Sequence, residues 1–178
     1  MRRICVFCGA AAGNDPRYAT AAGELGRALA ARSIELVTGG GKVGLMGVVA
    51  DATLAAGGSV IGVIPRFLEE REVAHRGLTE LHVVESLHER KALMHELSDG
   101  FIVLPGGFGT LDELMESITW AQLGLHAKPI GIVNVAGYFD ELLSFVEGAA
   151  RAGFIPVAHK EILTVRSNAS DLVETLGR

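Results

Sequence analysis

Long apolar runs are missing from this sequence of 178 residues, although 49% of its residues are hydrophobic. The apolar residues come in short runs that glycine or charged residues interrupt, and none approaches the roughly 20 residues of a membrane-spanning helix. The mean hydropathy of +0.34 is nevertheless high for a chain without such runs. This combination argues against a membrane span and predicts strands that are buried on both faces.

Clusters of basic residues are also missing. The chain carries 16 Lys and Arg against 21 Asp and Glu, which gives a formal net charge of −5. No block of Lys or Arg stands out, so the electrostatic footprint of a general nucleic-acid binder is absent. The expected partner is therefore a small ligand, and neither nucleic acid nor a membrane is expected.

Cysteine is scarce, since only Cys5 and Cys8 occur. Their C-x-x-C spacing can mark a redox motif, but active pairs of that kind lie at helix N-termini, whereas these two lie in an apolar run typical of a strand. Residues three positions apart in a strand face opposite sides of the sheet. Both cysteines are therefore predicted to be buried, reduced thiols.

The first residues resemble a signal peptide only superficially. Met1-Arg2-Arg3 precedes a short apolar stretch that ends in glycine and leads into Asn14-Asp15-Pro16. An Asp-Pro pair suits the N-cap and first position of a helix, so the apolar stretch is better interpreted as a strand. The sequence therefore predicts a cytoplasmic protein.

Short, β-branched apolar runs recur along the chain and predict strands. They cover residues 4–8, 34–38, 60–64, 101–104 and 130–135, with weaker runs at 82–84 and 162–165. Helical patterns separate most of these runs. Strands that alternate with helices, several of them apolar throughout, predict an α/β fold with a mostly parallel sheet and helices on both faces. The length suits one core, hence a single domain over residues 1–178.

Glycines follow three of the predicted strands, namely Gly9, the run Gly39-Gly40-Gly41, and Gly106-Gly107. Parallel sheets bind ligands at the carboxyl ends of their strands, so these three loops are predicted to line one site. A tight strand-to-helix turn would explain Gly9 alone, but it explains the set less well.

The stretch Gly39-Gly40-Gly41-Lys42-Val43-Gly44 formally matches the dinucleotide fingerprint G-x-G-x-x-G. That fingerprint also needs an acidic residue at the end of the next strand, where this chain has Ile64-Pro65-Arg66. An arginine there leaves an NADP site as a minor alternative. The stretch is not a P-loop, because Val43 stands where the Mg²⁺-binding Ser or Thr belongs.

The segment from Pro105 to Thr110 is the most informative in the chain. It follows an apolar run and precedes an amphipathic stretch, so it predicts a strand, a glycine-rich turn and a helix N-terminus in succession. Backbone N–H groups at such a helix start are unpaired and attract a phosphate. Glu113 follows one helical turn later, so one segment is predicted to combine phosphate binding with a carboxylate for chemistry.

Charged residues accompany this segment. Arg90 and Lys91 belong to the helical pattern before its strand, and although such a pair is most often solvated, here it could neutralise an anionic substrate. Glu116 lies on the same helical face as Glu113, where a favourable interaction with the helix dipole is an equally good explanation. The six histidines show no metal-ligand spacing, so no metal is assigned.

Together these motifs resemble the Lonely Guy (LOG) family of cytokinin-activating phosphoribohydrolases, often mislabelled lysine decarboxylases. The family signature P-G-G-x-G-T-x-x-E matches residues 105–113, and its upstream R-K pair matches Arg90-Lys91. Further matches cover nearly the whole chain, at residues 8–9, 39–41, 44–47, 64–65 and 119–124. The resemblance implies a Rossmann-like, doubly wound domain. It also implies hydrolysis of the N-glycosidic bond of a nucleoside 5′-monophosphate, either a cytokinin nucleotide or AMP, to free base and ribose 5-phosphate.

The resemblance also implies roles for particular residues. Arg90 and Glu113 match the catalytic pair, and we hypothesise that Glu116 supports Glu113. The nucleotide contacts that it implies are Lys91, Gly106, Gly107, Gly109 and Thr110, with Gly40, Gly41 and Met46 completing the pocket. Glu72 is our assignment for the acidic residue of the loop before the R-K helix. Ala10-Ala11 departs from the pattern, since many relatives carry hydroxyl residues there, which puts the affinity for the nucleotide in question.

Members of this family form homodimers with sites near the subunit interface, so a homodimer is expected, and no cofactor is. One alternative is a non-catalytic nucleotide carrier, because molybdenum-cofactor carrier proteins use a similar fold and phosphate turn. A carrier has no need of Glu113 beside Arg90. A pyridoxal-phosphate lysine decarboxylase is disfavoured, because no lysine lies in a recognisable cofactor motif.

Overall fold

The computed structural model describes residues 1–69 and 73–177. Within these residues the chain forms seven strands: β1 Arg3–Phe7, β2 Glu35–Thr38, β3 Val60–Pro65, β4 Glu80–Val84, β5 Gly100–Val103, β6 Ile130–Val133 and β7 Leu163–Arg166. Each predicted apolar run corresponds to one of these strands, with ends that agree within about two residues. The prediction of a strand at each run is confirmed.

The described residues also form α-helices: α1 Pro16–Ala30, α2 Gly44–Ala55, α3 Leu87–Leu97, α4 Phe108–Gln122, α5 Asp140–Arg151 and α6 Ala169–Leu176. Short 3₁₀ segments lie at Arg66–Leu68, Val135–Gly137 and Val157–Ile162. Several helix starts follow from the sequence. Asp15 caps α1 by accepting from the Arg17 N–H at 2.9 Å, and Ser86 caps α3 by accepting from the Glu89 N–H at 3.1 Å.

The strands form one sheet in the order β4-β3-β2-β1-β5-β6-β7, and each pairing among them is parallel. This confirms the predicted α/β fold, Rossmann-like and doubly wound. The chain builds the sheet outward from β1 to β4 and then returns to the other side of β1 with β5. The strand order therefore reverses between β1 and β5, and such a switch point leaves a crevice at the carboxyl ends of the two strands.

Helices cover both faces of the sheet. On one face, α1, α2 and α6 pack against residues such as Ile4, Leu36 and Ile102. On the other, α3, α4 and α5 pack against residues such as Val37, Phe101 and Ile132. Alternate residues of a strand point to opposite faces, so strands buried on both sides read as continuous apolar runs.

The two cysteines belong to these two cores. Cys5 lies in the core under α3 and α4, whereas Cys8 lies in the core under α1 and α2. Both are buried, reduced thiols, as predicted. Burial raises the pKa of Cys5 well above its ordinary value, so this thiol stays protonated.

No helix in the described part of the chain combines the length and the apolar character that crossing a membrane requires.

Candidate active site

A cavity of about 540 Å³ lies at the switch point between β1 and β5. Its walls come from the residues that follow β1, β2 and β5, together with side chains from α1, α2, α3 and α4. The three glycine-containing loops meet at this cavity through Gly9, Gly39 and Gly106. The structure thus brings the loops together where the strand topology requires a ligand crevice.

The turn between β5 and α4 forms one wall of the cavity. Gly107 is the N-cap of α4 and no side chain caps the helix, so the first N–H groups of α4 have no intrahelical acceptor. Gly106, Gly107, Gly109 and Thr110 all line the cavity. The unpaired donors and the positive end of the helix dipole therefore face a space in which an anion fits.

Close packing explains why glycine occupies position 106. A Cβ atom there would lie 2.1 Å from Thr110 Oγ1 and 2.8 Å from the Gly9 backbone N, distances at which atoms clash. A Cβ atom at Gly107 or Gly109 would meet nothing within 4 Å. Gly106 thus lets the turn approach Gly9 and Thr110, whereas Gly107 and Gly109 leave open space beside the helix start.

The start of α2 is a different kind of helix N-terminus. The backbone N–H groups of Leu45 and Met46 both point to the Gly9 carbonyl oxygen, at 3.0 and 3.4 Å. Arg66, which kept the NADP alternative open, pairs with Glu85 at 3.1 Å and is outside the cavity lining. The first N–H groups of the helix after the fingerprint-like stretch are therefore already bonded to the protein, which argues against a dinucleotide pyrophosphate there.

Arg90 lies at the floor of the cavity and is only 6% exposed. Its Nη2 donates a hydrogen bond to the Gly39 carbonyl oxygen at 3.2 Å. A Cβ atom at Gly39 would lie 1.8 Å from that Nη2, so the guanidinium occupies the space of a missing side chain. Gly39 is therefore the glycine of the second loop that makes room for the charge.

Glu113 also lines the cavity and is half-buried. Burial contributes most to the raised pKa of Cys5, the Glu113 carboxylate raises that pKa further, and Arg90 lowers it. Because both charges act on one buried thiol, they converge on the same region under the cavity. The structure thus places a carboxylate and a guanidinium together beside the unpaired helix start.

Replacing Gly39 with alanine should displace Arg90. The new methyl group overlaps the guanidinium, so either the side chain or the loop must move, and we expect the activity that depends on this cavity to fall by about tenfold or more. Gly23→Ala in α1 is the matched control, because its new methyl group first meets Arg27 Nη1, the end of a flexible side chain, at 3.3 Å. Activity of Gly39→Ala at the level of Gly23→Ala would contradict the assigned position of Arg90.

Lys91 points away from the cavity. Its Nζ lies 3.0 Å from Asp112 Oδ2 and 3.1 Å from Glu116 Oε1, so it links α3 to α4. Burial lowers the pKa of Lys91, but the hydrogen bonds to the two carboxylates outweigh it and the net shift is upward. Neither Lys91 nor Glu116 belongs to the cavity lining, so the structure separates both from Arg90 and Glu113.

Gly40 and Gly41 also lie outside the cavity lining, whereas Met46 lies within it. Gly40 adopts φ +78° and its carbonyl accepts from the His75 N–H at 2.8 Å. The Gly41 N–H donates to the Met46 Sδ at 3.2 Å. The two glycines thus hold neighbouring segments of the protein.

Glu72 falls outside the described residues, so its assignment stays a prediction.

A buried polar contact joins the two helices that carry Arg90 and Glu113. Ser117 Oγ donates to the Glu113 carbonyl oxygen at 2.8 Å and lies 3.0 Å from His95 Nε2. Because the hydroxyl has one hydrogen, His95 Nε2–H is the donor to Ser117 Oγ. Burial, followed by His126, Lys128 and Lys91, lowers the pKa of His95 to about 4.

This neutral histidine predicts a pH dependence of stability. The folded state keeps His95 unprotonated below its ordinary pKa of 6.5, whereas the unfolded chain binds a proton there. The free energy of unfolding is therefore unaffected by His95 above pH 6.5. It decreases as the pH falls from 6.5 toward 4, by at most about 3 kcal/mol. Denaturant titrations across this range measure it. His95→Gln keeps a donor for Ser117 without titrating, so its pH dependence should be flatter; parallel curves would contradict the assignment.

Sequence reasoning missed two aromatic residues of the cavity, Tyr18 and Tyr138. Their rings meet edge to face, with centroids 5.6 Å apart. The segment after β6 carries Tyr138, and its position at the carboxyl end of a strand next to β5 was the available signal. Ala10 and Ala11 also line the cavity, where they present methyl groups only.

Metal-ligating side chains do not cluster in the described residues, where no group of three or more His, Cys, Asp or Glu could hold a metal ion. What the cavity offers is an unpaired helix start, a carboxylate and a guanidinium. These features define a Rossmann-like α/β protein whose switch-point cavity is suited to an anion.

Comparison with known proteins identifies the family. The family model described as "Possible lysine decarboxylase" matches residues 46–176. Cytokinin riboside 5′-monophosphate phosphoribohydrolase LOG1 of Arabidopsis thaliana is 50% identical over 176 residues, which cover 99% of this chain and 83% of that protein. The enzyme of the same name, LOG, from Oryza sativa subsp. japonica is 51% identical over 173 residues, 97% of this chain and 72% of that protein. The chain belongs to the LOG family.

Solved structures share the fold at lower identity. The molybdenum cofactor binding protein of Rippkaea orientalis superposes with a TM-score of 0.73 at 22% identity, over 99% of this chain and 95% of that one. The molybdenum cofactor carrier protein of Chlamydomonas reinhardtii gives 0.74, also at 22% identity, over 98% and 97%. At this identity the likeness extends to the fold alone.

Proposed function

We propose that the chain is a phosphoribohydrolase that cleaves the N-glycosidic bond of a nucleoside 5′-monophosphate. Its substrates are cytokinin riboside 5′-monophosphates and AMP, and its products are the free base and ribose 5-phosphate. The observation that carries this proposal is the meeting of Glu113, Arg90 and the unpaired start of α4 in one cavity. The names of its relatives, at about half sequence identity, support the same reaction.

The 5′-phosphate binds at the start of α4. Donors from the glycine turn and the hydroxyl of Thr110 surround an anion there, and the dipole of a helix of 15 residues favours its charge. Glu113 follows Gly109 by four residues, which is about 6 Å along a helix axis. A nucleotide with its phosphate at the helix start thus extends its ribose toward Glu113.

Glu113 acts where positive charge develops. Cleavage of a glycosidic bond passes through an oxocarbenium-like state, which a neighbouring carboxylate stabilises while a water molecule attacks the anomeric carbon. Glu113 supplies that carboxylate and orients the water. Glu116 supports this arrangement from outside the cavity, because its ion pair with Lys91 ties α4 to the helix that carries Arg90.

Arg90 holds the ribose or the leaving base. A guanidinium is protonated at all physiological pH values, so it serves as a fixed donor rather than as a general acid. A guanidinium carries five N–H donors, so beside its hydrogen bond to the Gly39 carbonyl oxygen it can also bind sugar oxygens or the acceptor nitrogens of a purine. Water is the only co-reactant, and its elements end on the base nitrogen as a proton and on the anomeric carbon as a hydroxyl.

A substrate panel tests the proposal. The protein is incubated with AMP, isopentenyladenosine 5′-monophosphate and the two corresponding nucleosides, and the free base is followed by chromatography. Because phosphate binding orients the substrate, both nucleotides should release base much faster than their nucleosides. Equal rates for AMP and adenosine would contradict the assigned phosphate site. Binding of the nucleotides without release of base would favour the carrier alternative.

We also propose that the protein is a homodimer. Helix α5 has no buried residue, and large apolar side chains are exposed on and beside it, with Phe145 71% and Phe154 85% exposed. Phe108 at the start of α4 is 92% exposed. Such apolar surface is typical of an interface. Light scattering should give twice the chain mass of 18.7 kDa, and Phe145→Glu should lower it. A monomer at all concentrations would contradict the proposal.

A further inference from the structure

The segment after β6 is a strained loop that presents Tyr138 to the cavity. Ala136 adopts φ +54° and Gly137 adopts φ +73°, so two consecutive residues are left-handed, one of them with a side chain. Asn134 holds this loop in place. Its Oδ1 accepts from the Phe139 N–H at 2.8 Å, and its Nδ2 donates to Asp140 Oδ1 at 2.7 Å. Strain that the surroundings maintain in this way tends to accompany function.

Tyr138 reaches from this loop to the phosphate-binding turn. Its hydroxyl donates a hydrogen bond to the Gly106 carbonyl oxygen at 2.5 Å. Its ring is fixed on two sides, edge to face with Tyr18 at 5.6 Å and with Phe139 at 4.9 Å between centroids. The hydroxyl is therefore held at one position beside the turn, even though the side chain lies at the mouth of the cavity.

The carbonyl oxygens of the turn all have donors. The Gly9 N–H donates to the Pro105 oxygen at 3.0 Å, and the Leu111 N–H donates to the Gly107 oxygen at 3.1 Å. These two bonds come from backbone, whereas the Gly106 oxygen accepts from the side chain of Tyr138. An anion near the turn would be repelled by a carbonyl oxygen, so the direction of each one matters for binding.

The peptide between Gly106 and Gly107 is the one that Tyr138 controls. In a planar trans peptide the C=O and N–H groups point in opposite directions, so fixing the Gly106 oxygen also fixes the Gly107 N–H. Both flanking residues are glycine, so no Cβ atom resists rotation of this peptide. Without the tyrosine hydroxyl, the group facing the anion could change from a donor to an acceptor.

We propose that Tyr138 is a positioning residue that locks the Gly106–Gly107 peptide, so that the Gly107 N–H faces the substrate phosphate. The inference rests on the proposed function for the identity of the anion. It adds that the loop after β6 sets phosphate affinity without taking part in bond cleavage. If the turn adopts its binding conformation only part of the time, its apparent affinity for phosphate falls in proportion to the fraction of molecules in that conformation.

Tyr138→Phe tests the proposal by removing the hydroxyl alone. We expect KM for AMP and the inhibition constant of inorganic phosphate to rise together by about fivefold to tenfold, the effect of one lost hydrogen bond. The value of kcat for AMP and the slow rate with adenosine should stay near those of the unaltered protein. Thr175→Val is the matched control, since it removes a hydroxyl that also donates to a backbone carbonyl oxygen, that of Asp171 at 2.8 Å, but lies in α6 outside the cavity lining and should leave both constants unchanged.

Several outcomes would overturn the proposal. Equal phosphate constants for Tyr138→Phe and Thr175→Val would contradict it, and a fall in kcat with unchanged KM would assign the Tyr138 hydroxyl to the chemistry instead. Loss of the fold can be recognised by thermal melting, in which case Asn134→Ala, which loosens the loop but keeps the tyrosine, should raise the phosphate constant in the same direction. AMP and phosphate affinities by calorimetry test Tyr138 even if no base is released, so failure of the proposed function remains a separate result.

Discussion

Replacing Glu113 with glutamine should reduce base release from a nucleoside 5′-monophosphate by about a hundredfold or more. The amide keeps the shape of the side chain but carries no negative charge, so it cannot stabilise a sugar cation or orient water as a carboxylate does. Nucleotide affinity should change little, because the phosphate turn is untouched. The effect should therefore appear in kcat, measured from initial rates of base release at saturating AMP.

The same helix supplies one matched control, Asp112→Asn, and one variant of intermediate effect, Glu116→Gln. Asp112→Asn and Glu116→Gln each remove one carboxylate of α4 that pairs with Lys91 outside the cavity. The Asp112 side chain is mostly exposed, and ion pairs with exposed carboxylates contribute little, so Asp112→Asn should retain most of the activity. Glu116→Gln should fall between the two, if it acts through the position of α4. If Glu113→Gln were as active as Asp112→Asn, the proposed mechanism would be contradicted.

Replacing Arg90 with alanine should reduce kcat/KM for AMP by a similar factor, about a hundredfold or more. The guanidinium is buried at the floor of the cavity, where water screens it weakly and its charge acts strongly on a bound substrate. Removing it also frees the Gly39 carbonyl and leaves a void, so thermal melting is needed to show that the variant folds.

Lys91→Ala is the control for Arg90→Ala. It removes the neighbouring positive charge of the same helix, yet its partners are the carboxylates outside the cavity. We expect a loss of activity similar to that of Glu116→Gln and well below that of Arg90→Ala, because the ion pair that ties α3 to α4 is lost while no side chain of the cavity lining is removed. Comparable losses in the two variants would instead indicate that charge near α3, rather than the position of Arg90, governs the reaction.

The fold could be predicted where strands are buried on both faces. β1, β2, β3, β5 and β6 read as apolar runs because helices cover both sides of them. The weaker runs became β4 and β7, which are the edge strands of the sheet and are only partly buried. Helix α6 spans only eight residues, little more than two turns, so its sequence gives a weak helical pattern.

The order of residues in a motif does not tell which side chains face the ligand. Arg90 and Lys91 are adjacent, but successive residues of a helix point about 100° apart, so the two diverge toward the cavity and toward α4. Gly39, Gly40 and Gly41 carry no side chains, so only the packing of Arg90 distinguishes Gly39 as the one beside the cavity. Tyr138 was not found from the sequence, because its hydrogen bond to the Gly106 carbonyl oxygen joins residues 32 positions apart.

The most direct test of the central claim is the stoichiometry of products from AMP. Adenine, ribose 5-phosphate, adenosine and inorganic phosphate are quantified together in one reaction with excess nucleotide. Cleavage of the N-glycosidic bond predicts adenine and ribose 5-phosphate in equal amounts, with neither adenosine nor inorganic phosphate formed. Release of adenosine and phosphate, or tight binding of AMP without any product, would contradict it.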